Sequence, residues 1–271
     1  MPASDDTAKA ATAANLDDLT LLVDAARRGG QMALGYFRND PKRWTKDNDS
    51  PVSEADIAVD RYLAELLRGA RTGYGWLSEE TADDPARLGM ARTFIVDPID
   101  GTRAFLAGSP DWTVAVAVVE AGRPVAAAVY RPASDEMYTA TVGGGAALNG
   151  EPLRVSTMPS LEGARLAGPK PMVTQEAVRR AGVVYGGYVP SLALRIALVA
   201  AGRIDLAAAR ERACDWDLAA ADLLVQEAGG RLENMRGGPV LYNRANVRHP
   251  ALLAGPEALV TPLRPILADL T

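Results

Sequence analysis

The residues with most chemical promise lie in four short stretches: Ser53-Glu54-Ala55-Asp56, Ser78-Glu79-Glu80, Asp97-Pro98-Ile99-Asp100-Gly101-Thr102 and Trp216-Asp217. In the third, Asp97 and Asp100 stand three apart on a backbone that Pro98 stiffens. Both carboxylates, with the Ile99 carbonyl between them, can therefore face one small volume. Hard oxygen donors of this kind suit Mg²⁺, Mn²⁺ or Ca²⁺ rather than zinc, which favours nitrogen and sulfur. Gly101 and Thr102 then open a short helix whose free backbone N–H groups form an anion site. A divalent cation beside a phosphate cradle is the chemistry implied. An Asp-Pro-x-Asp-Gly turn also occurs as plain structure, so the reading leans on the other motifs.

Each group needs an element to hold it. Residues 93–96 are an apolar, β-branched run that reads as a strand delivering the acidic turn. Ser53 followed by Asp56 matches a helix start, with an apolar face continuing to about residue 70, which puts Asp56 at the exposed helix N-terminus. Two adjacent glutamates on extended backbone point to opposite sides, so Glu79 is assigned to the site and Glu80 to orienting it or meeting solvent. Asp217 falls in the first turn of a helix that runs to a cap at Gly229, where a carboxylate is favourably placed against the helix dipole. Asp222, five residues on, is expected on a solvated face. His249, in a Pro-flanked, Arg-rich late loop, is also expected to be solvated.

The rest supplies scaffold. Residues 16–38 have helical apolar spacing, 42–51 read as a loop, and 112–120, 125–130 and 136–142 read as antiparallel strands joined by short turns. The triple glycine 143–145, with Asn149-Gly150 after it, reads as a hairpin. Beyond residue 154, strands at 164–167, 183–185 and 204–207 alternate with helices at 174–181 and 191–201, which predicts an α/β half.

The chain has 271 residues, 48% hydrophobic and 23% charged, with a net charge of −5. That composition fits a soluble globular protein and gives no electrostatic case for a nucleic-acid polymer or an anionic membrane. One cysteine, Cys214, excludes an internal disulfide and a cysteine zinc cluster, and one histidine excludes a multi-histidine metal site. The Ala-rich start carries Asp5 and Asp6 and is unlike a secretion signal, so the expected compartment is cytoplasmic.

Together, in this order and over roughly residues 16 to 260, the four motifs and the Glu227-Ala228-Gly229-Gly230 ending resemble the inositol monophosphatase superfamily of metal-dependent, lithium-sensitive phosphatases. The resemblance implies an alternating αβαβα sandwich, α+β over residues 1–150 and α/β over 151–271. It implies Mg²⁺, two or three ions per site, held by Glu79, Asp97, the Ile99 carbonyl, Asp100 and Asp217. It further implies catalytic roles for Glu79, Asp56 and Thr102, the last two positioning a water, and phosphate on the Gly101 and Thr102 amides. The partner is then a small phosphorylated metabolite, and a homodimer is an admissible assembly. The stretch Gly238-Pro239-Val240-Leu241-Tyr242-Asn243 resembles the CysQ type, a 3′(2′),5′-bisphosphate nucleotidase. Arg210 and Arg212 would then meet a second phosphate. Inositol-1-monophosphatase, then histidinol-phosphatase, are the alternative activities, and a nucleotide- or metal-sensing protein on the same fold is the non-enzyme alternative.

Overall fold

In the computed structural model, which describes residues 5–46 and 51–268, the strand expected to end at Val96 runs on through the acidic turn as β4 (Arg92–Asp100). It lies in a seven-stranded sheet ordered β3 (Gly75–Ser78), β4, β5 (Thr113–Glu120), β6 (Arg123–Arg131), β7 (Glu136–Thr141), β8 (Gly145–Leu148) and β9 (Glu151–Pro152). All neighbours are antiparallel except β3 and β4, which run parallel, so the sheet is mixed rather than purely antiparallel. The parallel pair places Ser78 beside Val96, and therefore Glu79 next to Asp97 at the same sheet end.

Strand alternation sorts the sheet's two faces. Phe94, Val96, Val114, Val116, Ala126 and Ala128 pack against α1 (Asp5–Tyr36) and α2 (Glu54–Ala70). Ile95, Ala115, Ala117, Ala127 and Val129 face α6 (Leu192–Ala200) and α7 (Asp215–Glu227). Burying both faces explains why β4 and β5 read as continuous apolar runs. Beyond α6 and α7 lies a second sheet, ordered β11 (Val184–Tyr185), β10 (Arg165–Ala167), β12 (Leu206–Ala209), β14 (Leu252–Gly255) and β13 (Arg231–Asn234). Its outer face packs against α4 (Lys170–Val173), α5 (Glu176–Arg180) and α8 (Glu257–Ala268). Helix, sheet, helix, sheet and helix layers follow in turn, the αβαβα sandwich expected. No helix among the described residues is long and apolar enough to cross a membrane.

Where a loop was expected over 42–51, β1 (Arg43–Thr45) pairs antiparallel with β2 (Pro51–Ser53), whose last residue is the N-cap of α2, and residues 47–50 of that loop lie outside the described residues. α3 (Thr102–Leu106) is the short helix that follows the acidic turn.

Candidate active site

In an unbroken strand, residues three apart point to opposite faces. Asp97 pairs with Ala115 and Asp100 with Thr113, so three steps on β4 match two on β5, a bulge around Pro98 that shifts the phase by one residue. Both carboxylates thereby converge, and α7 brings Asp217 to meet them: one oxygen from each of Asp97, Asp100 and Asp217 lies within 4.8 Å of the others. Glu79, Gly101 and Thr102 line the same pocket, about 210 Å³ in volume.

Each carboxylate has its own support. Asp97 Oδ1 accepts the Ile99 amide at 3.0 Å. Asp217 Oδ2 accepts the Cys214 amide at 2.6 Å and so closes the N-terminus of α7. Asp100 is seated on the N-terminus of α6, accepting from Ser191 Oγ at 2.5 Å, the Ala193 amide at 2.6 Å and the Leu192 amide at 3.2 Å. Asp56 Oδ2 takes the Ser53 amide at 2.8 Å, completing a capping box. Thr102 Oγ1, 46 residues away in sequence, lies 3.0 Å from Asp56 Oδ1 and 3.1 Å from the Ile99 carbonyl, and its single proton can serve either.

Burial dominates the electrostatics. It pushes Asp97 well above the usual carboxylate range, reinforced by Glu79, Asp100 and Asp217. Asp217 is pushed up in the same way by burial, Asp100 and Glu79. Asp100 is also raised by burial, although Ser191 and the α6 amides oppose it. Burial raises Glu79, while Lys46 partly offsets it. Lys46 Nζ lies 3.1 Å from Glu79 Oε1 and 2.7 Å from Glu80 Oε1. Burial alone would lower this ammonium, but the two glutamates outweigh it and the net shift is upward. Glu80 does not meet solvent: its side chain is 3% exposed, and burial lifts it to about 7. Such a cluster repels itself unless cations or protons neutralise it, and an all-oxygen donor set fits a hard divalent ion.

Gly101 is fixed by geometry. Its φ is +96°, and a Cβ there would stand 3.0 Å from the Asp111 carbonyl oxygen and 3.2 Å from Ser191 Cβ. The pocket opens into a larger cleft of about 940 Å³, lined by Arg103, Lys170, Tyr188, Arg210, Glu211 and Arg212 among others. Arg210 and Arg212 are exposed on this outer wall.

Three expectations, for Asp56, Asp222 and His249, are corrected by the buried interior. Asp56, expected at an exposed helix start, is 1% exposed, because the end of β4 and α3 close over the N-terminus of α2 and Thr102 reaches its carboxylate. Asp222 is 1% exposed, accepting from Tyr242 Oη at 2.8 Å and Gln226 Nε2 at 2.7 Å. His249 is 9% exposed, with Nε2 2.6 Å from Asp215 Oδ1. In the stretch 238–243, which resembles the CysQ type, Asn243 is a brace: its backbone amide donates to Asp215, its side-chain Nδ2 donates to Thr93, and its side-chain Oδ1 accepts from Arg87. The support Ser191 gives Asp100 went unread in sequence, and its only signal was a serine just before an apolar helical run.

The family model for the inositol monophosphatase family matches residues 15–264. The chain belongs to the inositol monophosphatase family. It is a phosphoric monoester hydrolase. An inositol-1-monophosphatase of Mesorhizobium japonicum is 36% identical over 255 residues, covering 84% of this chain and 90% of that one. A histidinol-phosphatase of Mycobacterium tuberculosis is 34% identical, covering 82% and 88%. Among solved structures, the Thermotoga maritima inositol monophosphatase superposes with a TM-score of 0.81 at 27% identity, over 94% of this chain and 97% of that one. CysQ of Bacteroides thetaiotaomicron, at 24% identity and a TM-score of 0.75 over 89% and 97%, shares the fold.

Proposed function

We propose that this chain hydrolyses an inositol phosphate monoester in a site between its 1–150 and 151–271 parts, with Mg²⁺ held by Asp97, Asp100, Asp217, Glu79 and the Ile99 carbonyl. Two ions per site is the working number, with a third near Glu79. The observation that carries the reading is the convergence of three carboxylates, from the bulged end of β4 and the first turn of α7, beside the Thr102–Asp56 pair. Divalent cations there would neutralise the phosphate dianion, acidify water and stabilise the leaving oxygen.

The protein's own groups supply the rest. Thr102, donating to Asp56, keeps lone pairs that can orient a water. As that water attacks phosphorus, its proton can pass to Thr102 Oγ1 while the threonine proton passes to Asp56 Oδ1. Burial raises the Asp56 carboxyl, which makes it a better proton acceptor than an exposed one. The Gly101 and Thr102 amides would hold the phosphate, and the bond to the leaving oxygen breaks opposite the attacking water, the departing alkoxide taking its proton from solvent water.

A second reading is kept because one observation favours it. Lys170, Arg210 and Arg212 line the outer cleft, and a leaving group with a second phosphate would find cations there. That substrate is adenosine 3′,5′-bisphosphate. Phosphate release with Mg²⁺ from inositol 1-phosphate, adenosine 3′,5′-bisphosphate and histidinol phosphate, side by side, separates the readings. Inositol 1-phosphate is expected to give the highest kcat/KM; a higher value for the bisphosphate would replace the main reading with the second.

A further inference from the structure

Tyr188 is an exposed aromatic side chain, 54% accessible, that lines both the carboxylate pocket and the outer cleft. It stands where a leaving group must pass from one to the other. Its ring is held from behind by Arg195, whose guanidinium carbon lies 4.8 Å from the ring centroid. Arg195 is itself fixed: only 3% exposed, it donates from Nε and Nη2 to the Val189 carbonyl and from Nη1 to the Ala208 carbonyl. One buried cation therefore anchors both the ring and the backbone residue next to it, and the ring, 54% accessible and lining the cleft, keeps area for a ligand on the side away from Arg195.

We propose that Tyr188 is a specificity-determining residue, a platform that receives the flat apolar face of a neutral ring in the leaving group. An aromatic face carries negative quadrupole potential and offers wide contact without a hydrogen-bonding group, so it rewards C–H faces. A cyclitol or sugar ring presents such a face ready made, whereas an open-chain polyol must freeze several torsions to form one. Arg195 already draws on the ring's negative potential from behind, which makes the open face a poor seat for a cationic leaving group. The inference rests on the inositol phosphate reading and narrows it to a neutral ring.

The test compares inositol 1-phosphate with glucitol 6-phosphate, a six-carbon polyol ester without the ring. Tyr188→Ala is expected to raise KM for inositol 1-phosphate about tenfold with kcat nearly kept. KM for glucitol 6-phosphate should move by less than about twofold. Tyr188→Phe, which keeps the face and loses the hydroxyl, should restore the wild-type KM, and thermal midpoints of all three proteins should agree. Equal changes on both substrates, or failure of Tyr188→Phe to restore the KM, would overturn the platform. If the wild type does not turn over inositol 1-phosphate, the proposed function falls. The same variants are then compared on adenosine 3′,5′-bisphosphate, where equal KM values for wild type and Tyr188→Ala would overturn the platform separately.

Discussion

Replacing Ser191 by alanine should damage stability and ion binding together, because one hydroxyl serves both. Ser191 Oγ accepts the Leu194 amide at 3.0 Å as the N-cap of α6 and donates to Asp100 Oδ2 at 2.5 Å, in a position that is 0% exposed. Loss of a serine N-cap costs about 1 kcal/mol. Loss of a hydrogen bond to a charged group costs roughly 1.5–3 kcal/mol. Because a single atom makes both contacts the two do not simply add, and about 3 kcal/mol is the expected total. At ~2–4 °C per kcal/mol for a chain of this size, the thermal midpoint should fall by roughly 6–12 °C. Ser191 is the foremost of the groups holding Asp100 down against burial, so its removal lets that carboxyl rise further. A proton then competes harder with the cation, and the Mg²⁺ concentration for half-maximal activity should rise about tenfold, with a larger rise at lower pH. Calorimetric unfolding and a Mg²⁺ titration of phosphate release at two pH values read both effects. A midpoint shift under about 1 °C, or an unchanged Mg²⁺ dependence, would refute the claim that α6 positions Asp100.

Asp97→Asn should abolish turnover and weaken divalent-ion binding measured by calorimetry, whereas Thr102→Ala should keep ion binding and slow turnover; equal loss of binding in both would contradict the separate roles. Gly101→Ala should cost at least about 2 kcal/mol, from the strained φ and the clash with Asp111 and Ser191, as read by urea unfolding. Asp222 is raised to about 6 by burial, above its unfolded value, so the stability it contributes is present at low pH and lost as pH climbs through 6. Between pH 5 and 7.5 the wild type should lose about 1.4 kcal/mol relative to Asp222→Asn. Parallel pH dependences in urea unfolding would show that Asp222 does not titrate there.

How much could be read in advance depended on whether the signal was local. The Asp97–Thr102 turn, the capping position of Asp56 and the first-turn position of Asp217 are written in neighbouring residues, and the spacing of apolar positions predicts α1 and α2, while α8, interrupted by Pro262 and Pro265, escapes it. The phase shift that lets Asp97 and Asp100 converge depends on how β4 pairs with β5, which no local pattern reports. Nothing local reports the burial of Asp222 or His249: a step of five residues turns Asp222 away from Asp217, and the loop around His249 is rich in Arg and Pro. Their burial is set by Tyr242 and Asp215, which only the packed late segment brings close. Lys46 looked like part of a turn-rich loop, and its approach to Glu79 and Glu80 requires the β1–β2 hairpin to fold over the sheet end. The Tyr-Asn stretch carries a resemblance but no local sign of its contacts: Asn243 bridges Thr93 on β4 and Asp215 on α7, partners far away in sequence.

The central claim is that Asp97, Asp100 and Asp217 form a divalent-cation site. Diffraction from crystals grown with Mn²⁺, collected for anomalous scattering, tests it most directly. A peak is expected within about 2.2 Å of oxygens from all three side chains. A catalytically active crystal whose Mn²⁺ lies elsewhere, with the three carboxylates unligated, would contradict it.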